Sequence, residues 1–263
     1  MTTHITKKKP LGWAAAALVL ALLQGCATGP NANPADPLEP FNRTVFNFND
    51  GVDKAVIKPV ATAYQEVTPA LVRKGVTNVF ANISDIWSMV NNVLQAKPEA
   101  ATDSLFRVTV NTLWGLGGIF DVASDMKIPQ HREDFGRTLG YWGVASGPYL
   151  VLPLLGPSTV RDSVGTLVDT QGNLVSRTSN VPVRNSLIAL RAVDTRANLL
   201  SAGEFLEEAS LDKYSFARDI YLQRHRRSTR GTAAPAAPAE ERYDLPEEAP
   251  GAGTTAAPAP AGK

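Results

Sequence analysis

Hydrophobic residues recur at helical spacing through most of the chain. After Pro40, which suits the first turn of a helix, apolar residues follow at intervals of four, three and four positions. The pattern indicates successive helices with boundaries near Pro59, Pro69 and Pro98. The apolar positions that define these helices are Phe41, Val45, Phe48, Val52, Val72, Val76, Val79, Phe80, Ile83, Ile86, Trp87, Val90 and Leu94.

The same spacing returns in the last third of the chain, and neither region shows sustained alternation of apolar and polar positions. The later apolar positions are Leu187, Leu190, Val193, Leu199, Phe205, Leu206, Tyr214, Phe216 and Tyr221. The sequence therefore predicts an all-α fold. Glycines interrupt the middle of the chain, where short apolar pieces predict a hairpin or irregular insertion. These glycines are Gly115, Gly117, Gly118, Gly136, Gly140, Gly143 and Gly147.

The start of the chain has the pattern of a secretory signal. Three consecutive lysines, residues 7–9, precede an uncharged apolar run at residues 11–23, which is shorter than the roughly 20 residues of a membrane-spanning helix. Leu23 and Gly25 stand three and one positions before Cys26, an arrangement that resembles the bacterial lipobox. We therefore expect cleavage before Cys26 and acylation of that residue. The alternative is that Cys26 is only a small apolar residue in an ordinary signal peptide.

Cysteine and charge counts narrow the range of functions. Cys26 is the only cysteine, so acylation would leave no thiol for a disulfide. Ala27 follows it, which in similar lipoproteins favours transfer to the outer membrane. The 26 basic residues include the three lysines of the signal, so the processed chain would carry 23 against 25 acidic residues. This balance predicts neither a nucleic-acid partner nor a polybasic attachment to anionic headgroups.

Composition divides the chain into four parts. Residues 1–25 are the predicted signal peptide, and residues 26–35, rich in Pro, Asn and Gly, are a predicted flexible tether. Residues 36–227 are long enough for one helical domain. Residues 228–263 consist mostly of Ala, Pro, Gly, Thr and Glu, and we expect this tail to be disordered because it has too little apolar area to offset its ordering entropy.

Ordered motifs across the predicted domain resemble the MlaA/VacJ family. The resemblance runs from about residue 36 to residue 227, and several long motifs in the same order make it far more specific than one short pattern. The motifs are DPLEPFNR at 36–43, FNFN at 46–49, LWGLGGIFD at 113–121, DFGRTLG at 134–140, GPYLVLPLLGPS at 147–158, RD at 161–162, TRA at 195–197 and RDIYL at 218–222.

The resemblance implies a ring of helices that lies in the inner leaflet of the outer membrane and surrounds an amphipathic channel. It further implies that phospholipids misplaced in the outer leaflet pass through the channel to a periplasmic carrier, and that trimeric porins are partners. No reaction and no cofactor is implied. The competing interpretations are a porin-associated structural lipoprotein without transport activity and a periplasmic lipid-cleaving enzyme.

The enzyme interpretation finds little support in the residues. The processed chain retains only His131 and His225, and no Gly-x-Ser-x-Gly motif is present. Neither histidine has a second soft ligand at a spacing typical of a metal site. The arginines around His225 suit the solvated end of a last helix. We therefore expect no catalytic residue and no metal.

Asp103, Arg107 and Asn111 are spaced four residues apart on a predicted helix. The other side of this helix carries Phe106, Val110, Leu113 and Trp114. One interpretation is a solvated face with an Asp103–Arg107 ion pair. The other is a channel lining, because a lipid conduit needs polar partners for the headgroup and an apolar wall for the tails. The sequence leaves both open.

Two further segments are candidates for the channel rim. Gly117 and Gly118, flanked by Leu116, Ile119 and Phe120, form either a mobile apolar hairpin or a tight turn between core elements. Phe46, Asn47, Phe48 and Asn49 are the second candidate rim. The uncharged stretch at 149–155 is interpreted either as a buried loop or as an interfacial segment, since it is too short to span a bilayer.

Overall fold

The computed structural model describes residues 36–230. The predicted signal peptide, Cys26, the tether and residues 231–263 of the predicted tail lie outside the described residues. The elements are α1 (Glu39–Val52), a π-helical turn (Asp53–Ile57), α2 (Lys58–Val67), α3 (Ala70–Leu94), α4 (Pro98–Leu113), α5 (Val122–Asp125), α6 (Phe135–Tyr141), β1 (Tyr149–Leu152), β2 (Gly156–Thr159), α7 (Val160–Gly172), α8 (Val181–Asn198), α9 (Leu200–Ala209) and α10 (Lys213–Arg230). The predicted all-α class is confirmed, with one short hairpin inserted.

The three predicted proline boundaries all fall at element junctions. Pro69 is the N-cap of α3, and Pro98 is the first residue of α4. Pro59 follows the π-helical turn, in which the Lys58 N–H donates to the Asp53 carbonyl five residues back. Because proline lacks an N–H, this wider turn lets the chain pass from α1 to α2 with no non-helical residue between them.

The inserted hairpin lies where the glycine-rich middle of the sequence ends. Strands β1 and β2 are antiparallel, with Tyr149 opposite Thr159 and Leu152 opposite Gly156. Gly147 and Gly156 have φ angles of 69° and 84°, a left-handed conformation that glycine adopts without a steric cost. The two interpretations of the stretch at 149–155 apply to different parts of it. Val151 in β1 is buried, whereas Leu154 and Leu155 in the turn after β1 are exposed.

Helix α8 contacts the π-helical turn and α2 near the start of the described chain. The Arg196 guanidinium donates to both carboxylate oxygens of Asp53 at 2.7 and 2.8 Å, which fixes α8 to the π-helical turn. A small apolar cluster of Ala61, Ala197 and Leu200 packs at the same contact between α2, α8 and α9. These contacts set the position of α8 along one side of α3.

The distribution of side chains is inverted relative to a water-soluble protein. Among residues 36–225, with the side chains at 205, 206 and 209 left aside, 17 polar or charged residues are buried against 11 hydrophobic ones. In α4, Arg107 is 2 % exposed, whereas Leu113 and the next residue, Trp114, are 66 % and 67 % exposed. Buried polar groups are costly unless paired, and large exposed apolar areas mark contact with another apolar phase. No helix in this part of the chain is both long enough and apolar enough to cross a membrane.

Candidate functional site

Helix α3 turns a polar stripe toward the interior of the protein. Asp85, Ser88, Asn92 and Gln95 recur at intervals of three, four and three residues, and all four are buried. The Gln95 amide donates to the Thr138 hydroxyl at 3.0 Å, and the Asn92 amide donates to the Ser104 hydroxyl at 3.5 Å. The helix therefore presents hydrogen-bonding groups, rather than an apolar ridge, to α4 and α6.

Arg107 is the centre of the largest charged cluster on this stripe. Its Nε donates to Asp85 at 3.2 Å, and its Nη2 donates to both Asp121 oxygens at 3.0 and 3.2 Å. Its Nη1 donates to the Ile128 carbonyl at 2.8 Å and to the Ser124 hydroxyl at 3.2 Å. A single buried guanidinium thus connects α3, α4 and the segment that follows α4.

The pKa values of the two carboxylates in this cluster are shifted in opposite directions. Burial raises the pKa of Asp85 above its ordinary value, against hydrogen bonds from Gln130 and Arg107. Burial also acts to raise the pKa of Asp121, but hydrogen bonds from Ser124 and Asn111 outweigh it and hold that pKa below its ordinary value. Asp121 is therefore the more firmly ionised partner of Arg107.

The solvated-face interpretation of Asp103, Arg107 and Asn111 is wrong for its last two residues. Arg107 and Asn111 are buried, and the Asn111 amide donates to Asp121 at 3.0 Å while its carbonyl oxygen accepts from the Ala123 N–H at 2.8 Å. The predicted Asp103–Arg107 ion pair is absent. Arg107 pairs with Asp85 and Asp121 instead, and Asp103 Oδ2 lies 3.0 Å from His131 Nε2. The sequence could not reveal Asp85 and Asp121 as stronger partners. The channel-lining interpretation stays a prediction.

The glycine-rich segment after α4 forms a turn with an apolar tip. Leu116 and Phe120 are 68 % and 57 % exposed, and Ile119 is 45 % exposed. Its base is fixed, because the Gly118 N–H donates to the Asn111 carbonyl at 2.8 Å and the Asn78 amide donates to the Ile119 carbonyl at 2.9 Å. The geometry is that of a tight turn, and movement of its tip stays a prediction.

Gly118 is required at its position in this turn. Its φ angle is 97°, and a Cβ there would lie 2.8 Å from the Asn82 Cβ. Gly117 also has a positive φ of 73° but has open space around it. The turn therefore lies against α3 on the Gly118 side and is open on the Gly117 side.

The other candidate rim, residues 46–49, is divided between two faces of α1. Phe46 packs edge-on against Tyr214 with ring centroids 5.7 Å apart, whereas Asn47 and Phe48 are exposed. The Asn49 amide donates to the Leu152 carbonyl at 2.9 Å, and its oxygen accepts from the Leu154 N–H at 2.8 Å.

Asn42, two turns earlier on α1, makes the same pair of contacts with β1. Its amide donates to the Tyr149 carbonyl at 3.0 Å, and its oxygen accepts from the Val151 N–H at 2.8 Å. A side-chain amide offers the same donor and acceptor as a peptide group. The two asparagines therefore form hydrogen bonds with backbone groups along the edge of β1 that does not pair with β2. They attach the hairpin to α1.

A cavity of about 630 Å³ lies between α3, α8, the end of α7 and the segment at the start of α6. Its wall combines apolar, hydroxyl and charged groups. The residues that line it are Thr77, Phe80, Ala81, Ile83, Ser84, Trp87, Ser88, Arg132, Glu133, Asp134, Arg137, Asp169, Asn173, Arg191, Asp194, Thr195, Asn198 and Leu199. Cavities that hold small ligands measure roughly 300–1,000 Å³ and combine apolar walls with a few polar groups.

Arg191 of α8 lines this cavity. Its Nη2 donates to the Ser84 hydroxyl at 3.1 Å, and its guanidinium carbon lies 5.9 Å from the centre of the Phe80 ring. Burial, and then repulsion from Arg132, lower the pKa of Arg191 below its ordinary value. The group remains charged at neutral pH, because an arginine pKa starts far above 7.

A second charged cluster connects α7 with α10. Asp162 Oδ2 lies 2.8 Å from His225 Nε2 and accepts from the Tyr221 hydroxyl at 2.9 Å. Burial acts to raise the pKa of Asp162, but hydrogen bonds from His225 and Thr159 hold it far below its ordinary value. Among residues 36–230, no group of histidine, cysteine or acidic residues is arranged to hold a metal ion.

None of the predicted rim and lining residues contributes to the cavity wall. Sequence reasoning missed Ser84 and Arg191 because each stands inside an apolar helical stripe that was interpreted only as packing. The sequence holds no local signal for them, because a polar residue next to an apolar one, as at Ile83–Ser84 and Leu190–Arg191, occurs on any amphipathic helix.

Comparison with known proteins adds an independent result. The family model "MlaA lipoprotein" matches residues 34–228. The chain is 37 % identical over 217 residues to the Escherichia coli "Intermembrane phospholipid transport system lipoprotein MlaA", covering 80 % of this chain and 86 % of that protein. The Haemophilus influenzae protein of the same name is 33 % identical over 210 residues, covering 76 % and 83 %.

A solved structure agrees with these sequence matches. It is described as "Structural basis for maintenance of bacterial outer membrane lipid asymmetry" and superposes with a TM-score of 0.65 at 36 % identity, covering 74 % of this chain and 98 % of the other. The family match spans most of the chain, and the resemblance seen in the motifs is thereby confirmed. The chain belongs to the MlaA lipoprotein family.

Proposed function

We propose that this protein removes misplaced phospholipids from the outer leaflet of the outer membrane and passes them to a periplasmic carrier, which maintains the asymmetry of that membrane. One observation carries the proposal: polar groups are buried and large apolar groups are exposed, in a chain whose described helices cannot span a bilayer. The names of the relatives, which refer to intermembrane phospholipid transport, support it.

The inverted distribution suits a protein that lies within one leaflet. Apolar residues on the outside of α4 and on the 116–120 turn would contact the acyl chains of the surrounding lipids and so would not be exposed to water. Polar residues inside supply hydrogen-bond partners for a headgroup, which costs several kcal/mol to move into hydrocarbon unpaired. A lipid that descends beside such residues crosses the leaflet with its tails in an apolar environment.

The predicted site residues take definite places in this proposal. Leu116, Ile119 and Phe120 at the turn tip, with Gly117 and Gly118 beneath them, form one rim of the conduit. Phe48 and Asn47 form the other, while Phe46 and Asn49 attach that rim to α10 and the hairpin. Arg107 and Asn111 hold the first rim in place through Asp121, and Asp103 lies at the far end of the same helix face.

The proposal includes an acyl anchor at Cys26 and exposure to the periplasm. Phospholipid is the transported partner, and a trimeric porin and a soluble lipid carrier are the protein partners. No bond is made or broken, so the protein is not an enzyme in this account.

The test compares cells that lack the protein with cells complemented by the wild-type chain. The phospholipid content of the outer leaflet should rise in the deletion, together with sensitivity to detergent and EDTA, and the wild-type chain should restore both. Porin levels and the release of fatty acid or lysolipid are measured in the same cells. Reduced porin with an unchanged outer leaflet would support a structural porin-associated lipoprotein, and released lysolipid would support a lipid-cleaving enzyme.

A further inference from the structure

We propose that Arg191, with Arg132 beside it, binds the phosphate group of a phospholipid inside the cavity bounded by α3 and α8. The inference rests on the proposed function and deepens it, because it names the chemical group that the interior of the conduit recognises. It depends on three features: a cation without an acidic partner, acidic neighbours that are already occupied, and an apolar wall within the same cavity.

Arg191 has no carboxylate partner among residues 36–230. Its protein contacts there are the Ser84 hydroxyl at 3.1 Å and the face of Phe80, both uncharged groups. Its charge is half-buried, and the repulsion from Arg132 increases the cost of keeping it so. A buried cation is ordinarily paired, so an unpaired one indicates that the partner is a ligand.

The acidic residues of the cavity wall are held by other donors. Asp194 accepts from the Thr77 hydroxyl at 2.8 Å and from the Tyr64 hydroxyl at 3.2 Å. Asp169 accepts from the Trp87 indole N–H at 2.7 Å and from the Phe135 N–H at 2.9 Å. Neither carboxylate forms an ion pair with Arg191, and both accept hydrogen bonds from other groups of the protein.

The remaining acidic residues of the wall pair with cations other than Arg191. Glu133 lies 3.1 Å from Lys97 Nζ, and Asp134 Oδ2 lies 3.4 Å from the Nε of Arg137. Arg132 is exposed and donates to the Gln130 amide oxygen at 3.2 Å. The cavity wall therefore contains two arginines, Arg132 and Arg191, that form no direct ion pair with its acids, and two carboxylates, Asp169 and Asp194, whose partners are uncharged.

A phosphodiester fits this arrangement better than a free carboxylate or a neutral headgroup. A guanidinium matches two phosphate oxygens at once, and such charge-assisted pairs are about twice as strong as neutral hydrogen bonds. Ile83, Trp87 and Leu199 line the same cavity and offer an apolar surface to the adjoining glycerol and acyl chains. The combination selects a lipid phosphate in preference to a phosphate ion in water.

The experiment measures ligand binding to the full-length lipoprotein in a non-ionic detergent by titration calorimetry. The probes are dihexanoyl phosphatidylglycerol below its critical micelle concentration, dihexanoylglycerol, which lacks the phosphate, and inorganic phosphate. The variants are Arg191→Gln, which removes the charge, and Arg191→Lys, which keeps it. Arg184→Gln on the same helix is the matched control, because Arg184 does not line the cavity.

Arg191→Gln should weaken binding of the phosphatidylglycerol by about tenfold or more while leaving dihexanoylglycerol unchanged. Arg191→Lys should recover part of the loss, and Arg184→Gln should bind as the wild-type protein does. Inorganic phosphate should bind far more weakly than the lipid and compete only at high concentration.

Three results would overturn the inference. The first is phosphatidylglycerol binding that is absent from the wild-type protein or unchanged in Arg191→Gln. The second is an equal loss for the lipid without phosphate, which would indicate damage to the cavity. The third is inorganic phosphate binding as tightly as the lipid, which would indicate a site for a free anion.

The inference and the proposed function fail separately. Normal lipid binding by Arg191→Gln in a protein that does restore the outer leaflet would end only the inference. An outer leaflet that is unchanged in the deletion, with lipid binding that still depends on Arg191, would end the proposed function and leave the binding site standing.

Discussion

Arg107 and Asp85 each have a side chain that is 3 % exposed, so water cannot replace either partner of their ion pair. A buried pair of this kind adds little net stability over an apolar pair of similar size, but removing one partner leaves the other charge unpaired. The pair therefore contributes mainly by fixing the position of the segment from Asp121 onward. That segment carries the apolar turn at its start.

Replacing Arg107 with Met should lower the free energy of unfolding by about 3–5 kcal/mol, because Asp85 and Asp121 lose their cation. The measurement is urea denaturation of the purified protein in a non-ionic detergent. The double variant Arg107→Met with Asp85→Asn should lose less than the sum of the single changes. Arg184→Met, the control, should stay within about 0.5 kcal/mol of the wild-type protein. A loss of that small size for Arg107→Met would contradict the account.

Gly117 and Gly118 offer a matched pair of substitutions in the turn. Gly117→Ala should lower the free energy of unfolding by about 1–2 kcal/mol, because only the left-handed backbone conformation opposes it. Gly118→Ala should cost at least about 1 kcal/mol more, since its Cβ would also collide with Asn82. The comparison is made from denaturation midpoints in the same detergent. Equal losses would show that the turn does not lie against α3 as described.

At the scale of elements, the helices before and after the glycine-rich middle could be predicted from the sequence, but α5, α6 and α7 could not, and neither could the face that α4 buries. The spacing of Phe106, Leu113 and Trp114 identified α4, and these three residues are exposed. A period of 3.6 residues reports that one face is apolar, whereas the medium decides which face points outward. The cavity could not be predicted for a different reason. Its wall combines residues that are far apart in sequence, such as Ser84 and Arg191.

Exposed and buried apolar residues of α4 should respond differently to polar substitution. In a chain without the acyl anchor, Phe106→Ser with Leu113→Ser should reduce partitioning into phospholipid vesicles by about tenfold or more, because about 1 kcal/mol of apolar transfer is lost at each half-exposed site. The free energy of unfolding should change little. Val110→Ser, at a buried position, should lower stability and leave partitioning unchanged. Vesicle flotation measures the first quantity, and the reverse pattern would contradict the orientation of α4.

The charged cluster of Asp162 and His225, which connects α7 with α10, should make the stability of the protein sensitive to acid. The folded-state pKa of Asp162 lies below its unfolded value, so the unfolded state binds more protons as the pH falls through about 4. The stability contributed by Asp162 is therefore present at neutral pH and is lost on acidification. Asp162→Asn should cost about 2 kcal/mol at pH 7 and should flatten the acid side of the stability profile. An Asn variant with the same acid dependence as the wild-type protein would assign that dependence to other carboxylates.

At the scale of the whole molecule, the proposed transport requires the lipid to pass through the cavity beside α3. Polar residues face inward along α3, apolar residues face outward along α4, and the cavity lies between α3 and α8. A side chain that fills the cavity should block passage without altering the outer surface or the anchor. Ala81 lines the cavity and Ala189 is exposed on α8 away from it, which provides the comparison.

The most direct measurement is the phospholipid content of the outer leaflet in cells that express only Ala81→Trp or only Ala189→Trp, at matched levels of the protein and of porin. The account predicts that Ala189→Trp keeps the content as low as the wild-type protein does, while Ala81→Trp leaves it as high as in cells without the protein. An Ala81→Trp protein that is folded, correctly located and fully able to keep the outer leaflet free of phospholipid would contradict the account, because lipid would then be moving by a path outside this cavity.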